Sequence, residues 1–99
     1  MPFDPVAYAH EELVPLLRGL CELAESDGAS DQERFFASAL AGIEAASVAE
    51  DLADPFMQLS MSAFMGFVYS APTALLLDRV LEKAQLLSES LSLDASEVH

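Results

Sequence analysis

Between Asp54 and Asp78 the chain runs for 23 residues, PFMQLSMSAFMGFVYSAPTALLL, without a single charge. Elsewhere it is dense in acids, with 17 Asp and Glu against four Lys and Arg. An uncharged run of this length must be covered by the rest of the fold, by another molecule or by lipid. Its first part, Phe56 to Tyr69, reads as a helix apolar around most of its circumference, and such a helix is normally buried.

Lipid is the least suitable cover. The run is long enough to span a bilayer, but it contains Gln58, Ser60, Ser62, Ser70 and Pro72. It also lacks the basic flanks of a membrane segment. The formal net charge of −13 repels phosphate backbones and anionic headgroups. Neither nucleic acid nor membrane is therefore an expected partner. Acidity of this degree serves solubility and steers association toward basic partners or cations.

Ninety-nine residues make one domain, 1–99, with one core. Ala and Leu supply 32 residues, whereas Val, Ile and Thr supply eight. Unbranched side chains lose little rotamer freedom in a helix. The expected fold class is all-α: a compact bundle of four main helices.

The first helix spans 5–26. Asp4 caps it, Pro5 opens it, and Val6, Ala9, Leu13, Leu16, Leu17, Leu20, Leu23 and Ala24 form its apolar face. Pro15 should kink it by removing the hydrogen bond to the Glu11 carbonyl. Ser26-Asp27-Gly28-Ala29 is a turn, with Gly28 at positive φ. A second helix, 31–46, opens on a Ser30-x-x-Glu33 capping box and buries Phe35, Phe36, Ala39, Leu40, Ile43 and Ala46.

A short helical connector, 48–53, follows a second such box at Ser47 and Glu50. Asp54-Pro55 then opens a third helix, 55–69, carrying a row of Met57, Met61 and Met65. Pro72 opens a fourth, 72–92, with the stripe Leu76, Leu77, Val80, Leu81, Ala84, Leu87 and Leu91. Residues 94–99 read as a frayed tail.

Catalytic patterns are missing. Neither His10 nor His99 has an acid three residues before it, as the di-iron bundles require. Cys21 and His10 lie three turns apart on one helix, roughly 16 Å by helical rise, too far to act as nucleophile and base. Cys21 continues the apolar row of Val14, Leu17 and Ala24, as a buried inert thiol does, and His10 falls on the polar side. The lone cysteine implies no intramolecular disulfide, and a cytoplasmic location is expected. The methionine row is core filling rather than a copper(I) site. Glu44, Glu50, Asp51 and Asp54 lack the loop spacing of a calcium site. No cofactor, metal or catalytic residue is assigned.

Helix 55–69 has few polar residues to turn toward water, so part of it should meet another chain. The expected function is a non-catalytic, partner-binding or self-associating module, with a homodimer as the commonest form. The interface candidates are Met57, Met61, Phe64, Met65, Val68, Leu76 and Val80. The alternative is a carrier or sensor of a small apolar ligand between the helices, with Gln58, Ser62 and Tyr69 as polar anchors.

Overall fold

The computed structural model describes residues 4–97, with side chains through 90 apart from residue 63. The described residues form an all-α bundle without strands. In chain order the elements are α1 (Pro5–Tyr8), a π turn (Ala9–Leu13), α2 (Val14–Ser26), α3 (Ser30–Ala45), a 3-10 turn (Ala49–Leu52), α4 (Ala53–Ser60), a second 3-10 turn (Met61–Phe64) and α5 (Ala71–Glu97).

The first three elements make one continuous rod. Asp4 caps it as expected, its carboxylate accepting from the N–H groups of Val6 and Ala7 at 3.1 and 3.2 Å. Pro15 does not split the rod. The turn before it widens, so that the Val14 N–H reaches back to the Ala9 carbonyl. A proline ring collides with the carbonyl one α-turn behind it, and a π turn makes room without ending the helix. The extra residue also rotates the apolar face, and the adjacent Leu13 and Val14 are both buried.

α3 returns antiparallel to α2 after the turn at Gly28, which takes φ +70° as expected. It starts at Ser30 with no side-chain cap, so the Ser30–Glu33 capping box does not form. The second expected box is also replaced. Asp51 Oδ2, not Glu50, accepts from the N–H groups of Ser47 and Val48 at 3.0 and 3.3 Å. The acid one place further along reaches the two orphan donors because the connector is a tighter 3-10 turn.

α4 runs antiparallel to α3. Pro55 lies beside Gly42, and the Gln58 amide donates to the Phe35 carbonyl at 3.1 Å. A side chain on Gly42 would stand 3.3 Å from the Pro55 ring, so the glycine sets the α3–α4 spacing. α5 begins at the Asp27 end of α2 and runs back along it. Ser70 and Thr73 Oγ lie 2.7 and 3.2 Å from Asp27 Oδ2, which ties the start of α5 to the α2–α3 turn.

The core is one cluster. Leu13, Leu17 and Leu20 come from the first rod, Phe36 and Ile43 from α3, Leu52 and Leu59 from the α4 region, and Val80 and Leu87 from α5. Burying each leucine contributes about 1.5–3 kcal/mol. The molecule measures 47 × 22 × 18 Å, and α5 accounts for the long axis, being about 40 Å by helical rise. It runs through Glu97, past the expected end at 92; expectations for the tail beyond 97 lie outside the described residues.

The expected helix 55–69 is the main correction. Its α-helical part ends at Ser60, tightens through Met61–Phe64, turns at Gly66 with φ +72°, and is non-helical over 67–70. Side chains alternate over 67–69, the pattern of extended backbone. Phe67 and Tyr69 accordingly face α3, while Val68 is 89% exposed. Phe67 packs edge-on against Phe35 at 5.6 Å, and Tyr69 lies 6.2 Å from Phe36. Aromatic residues suit an extended strap better than a helix, and the contact with α3 fixes it there.

Candidate interaction surface

Breaking the helix at Ser60 distributes its apolar groups to two sides. Leu59 and Ser62 go inward. Met57, Met61, Phe64, Met65 and Val68 go outward, with Phe64 84% exposed and Met57 64% exposed. All five were interface candidates on sequence grounds, but the reading of the methionine row as core filling is overturned, because Met57, Met61 and Met65 are all exposed. Two others are not at the surface in the same way. Val80 is fully buried, because α5 turns it onto α2, and it has nothing to offer a partner. Leu76 is half-buried against the core, its Cδ2 placed 3.0 Å from where a Cβ on Gly19 would stand.

Gln58, Ser62 and Tyr69 are occupied by the fold. Gln58 Nε2 donates to the Phe35 carbonyl, and its Oε1 lies 3.5 Å from Ser38 Oγ. The Tyr69 hydroxyl donates to the Ser62 carbonyl at 3.3 Å. Burial raises the Tyr69 phenol above its ordinary value. These groups hold the strap rather than open onto a cavity. Gln32 assists them: its Nε2 donates to the Val68 carbonyl at 2.9 Å, while its buried Oε1 has no hydrogen-bond partner among the described residues.

Beside this patch lies a groove of about 750 Å³ between α4 and α5. Ala49, Ala53 and Ala84 line it together with the larger Phe56, Leu59 and Leu81. Gln85, Ser60 and Ser88 provide the polar groups, and Met57 belongs to both groove and patch. Among the described residues, no titratable side chain lines it. Periodicity did place Leu81 and Ala84 on an apolar stripe, but not the gap that α4 leaves beside them. That gap depends on how far apart α4 and α5 pack.

The nucleophile and base candidates are apart from both surfaces. Burial, then Glu33 and Glu22, raises the Cys21 thiol, which disfavours thiolate. His10 is not a plain surface residue: it is half-buried, and its Nε2 lies 2.7 Å from the Ile43 carbonyl oxygen. Among the described residues, no group of three or more His, Cys, Asp or Glu is placed to hold a metal ion, and no helix is long and apolar enough to cross a membrane. Comparison with protein-family models, curated proteins and solved structures finds no match for the chain.

Proposed function

We propose that this protein is a non-catalytic docking module of the cytoplasm that buries the Met57–Val68 surface against another protein chain. A symmetric homodimer is the form that one self-complementary patch most simply gives. The single observation that carries the reading is the outward placement of Met57, Met61, Phe64, Met65 and Val68 within a few turns of chain. Isolated exposed apolar residues are ordinary, but a contiguous set of large ones marks contact sites. Methionine suits such a surface because its thioether adapts to the opposing shape. The patch also lies in the uncharged run, so none of its own side chains carries a charge.

Sedimentation at high micromolar concentration tests this. The expected result is a dimer that Met61→Glu or Phe64→Glu converts to a folded monomer. A wild-type monomer at that concentration would remove self-association from the reading. Both positions are exposed, so a glutamate there leaves the fold intact.

A second reading is favoured by the groove, whose volume falls within the usual range for small-ligand sites, about 300–1,000 Å³. A small apolar molecule would lie on Phe56, Leu59 and Leu81, with Gln85 or Ser88 as its anchor. Native mass spectrometry of the purified protein would show the added mass.

A further inference from the structure

The groove between α4 and α5 has a charge pattern that selects its occupant. Among the described residues its lining is uncharged, yet its outer edges are acidic. On the α4 side Glu50 and Asp54 are both exposed, next to the lining residues Ala49 and Ala53. On the α5 side Asp78, Glu82 and Glu89 are exposed. At 100° per residue they fall within about 100° of Leu81, on the solvent side of the groove face. Glu89 Oε1 accepts from Gln85 Nε2 at 3.4 Å, which places that carboxylate beside a lining residue.

The four bases do not offset these acids. Arg79 and Lys83 lie about 160° and 200° around α5 from Leu81, away from the groove face. Arg18 is engaged with Glu44 at 2.7 Å, across α2 and α3. Arg34 stands on α3, which does not line the groove.

We propose that this groove docks an amphipathic helix of a partner protein, with an apolar stripe of small and medium side chains flanked by Lys or Arg. The argument rests on shape and charge together. The lining residues Leu81, Ala84, Gln85 and Ser88 cover about two helical turns, as Ala53, Phe56, Met57 and Ser60 do on α4. Two antiparallel helices with three alanines along the lining leave room for a third helix to lie between them. Helix-in-groove recognition uses anchors at i, i+3, i+4 and i+7. An acidic edge on both sides favours a cationic flank, steers its approach, and opposes a second copy of this acidic chain or an anionic lipid surface.

The inference extends the docking reading to an adjoining surface, and the two can fail separately. The probe is a fluorescein-labelled peptide of about fourteen residues, with Leu and Ala at the anchor positions and Lys on both flanks. A second peptide replaces every Lys with Glu. Anisotropy titrations against the full chain should show the Lys peptide bound at least about tenfold more tightly. Its affinity should fall about fivefold or more between roughly 0.05 and 0.5 M NaCl.

Diffuse attraction to an acidic protein would give the same two results, so the groove itself must be altered. Ala53→Trp puts a large ring into the groove from an exposed position and should weaken the Lys peptide at least about tenfold without loss of helical circular dichroism. Asp54→Lys with Glu89→Lys should narrow the preference between the peptides. If Ala53→Trp leaves Lys-peptide binding unchanged, if the two peptides bind alike, or if neither binds, the inference is overturned. A wild-type dimer that ignores both peptides would overturn it alone, leaving docking through the Met57–Val68 patch in place. A monomer that binds the Lys peptide in a manner sensitive to Ala53→Trp would uphold it while removing self-association.

Discussion

His10 Nε2 lies 2.7 Å from the carbonyl oxygen of Ile43, joining the π turn of the first rod to the last turn of α3. A carbonyl only accepts, so the ring must carry its hydrogen on Nε2. The same carbonyl accepts from the Ala46 N–H at 3.2 Å, which closes the end of α3. The π turn thus has a second consequence beyond accommodating Pro15: it displaces His10 from the expected polar side toward the α3 terminus. His10→Ala should destabilise the domain by about 0.5–1.5 kcal/mol, the usual net loss for one side-chain hydrogen bond whose acceptor keeps another donor. His10→Gln, which keeps a donor, should recover part of it. Urea unfolding of the three proteins checks this.

Gly19 and Gly42 face different neighbours, and the same substitution should act differently at each. A Cβ at residue 42 meets the Pro55 ring at 3.3 Å, and the ring cannot rotate away. A Cβ at residue 19 meets only Leu76 Cδ2 at 3.0 Å, the end of a flexible side chain. Alanine gains about 1 kcal/mol over glycine in a helix interior, whereas overpacking a rigid contact costs about 1–3 kcal/mol. Gly42→Ala should therefore lower stability by about 1 kcal/mol. Gly19→Ala should change it by less than about 0.5 kcal/mol. Thermal melts of the two variants compare them directly.

Phe64, at the end of the second 3-10 turn, and Phe67, in the strap, stand three residues apart yet have different surroundings. Phe67 stacks edge-on with Phe35 and Tyr69 at 5.6 and 6.0 Å, whereas Phe64 is 84% exposed. Phe67→Ala should cost about 2 kcal/mol, on the low side for a phenylalanine because the ring is only half-buried. Phe64→Ala should leave monomer stability within about 0.5 kcal/mol of wild type. Equal losses at both positions would contradict the inward placement of Phe67 against Phe35.

Asp51 ties the α3–α4 connector through the N–H groups of Ser47 and Val48, and these bonds hold its carboxyl below the ordinary carboxylate range. A depressed pKa stabilises the fold above the unfolded value, near 3.9, and that contribution is lost as pH falls through the lower folded value. Asp51→Asn should therefore be less stable than wild type at neutral pH, with the gap closing below about pH 4. Melting temperatures of both proteins from pH 7 to pH 3 measure it.

The helices most legible in the sequence were those with one apolar face and a clear stop. Leu13, Leu17 and Leu20, then Phe36, Ala39 and Ile43, fall in the core as their spacing predicts. Asp4 caps, and Gly28 turns. The segment after Ser60 was not legible in this way. Met61, Ala63 and Met65 are compatible with a helix, and nothing local shows that it must stop. Gly66 followed by Phe-Val-Tyr was the available signal, since a glycine before aromatic and β-branched residues marks a turn into extended chain. The interface candidates divided for the same reason. Periodicity placed Val80 on an apolar face, but only the direction in which α5 meets α2 determined that this face is inside.

The sequence by itself determined an acidic, helical chain with an uncharged middle that cannot all be solvated, because composition, capping residues and apolar period act within a turn or two of chain. Which of those middle residues are covered was decided by tertiary structure alone. Phe35 and Phe36 capture Phe67 and Tyr69 from a different part of the sequence, and the spacing of α4 from α5 opens the groove. Both depend on side chains more than twenty residues apart meeting in space, and no local pattern records that.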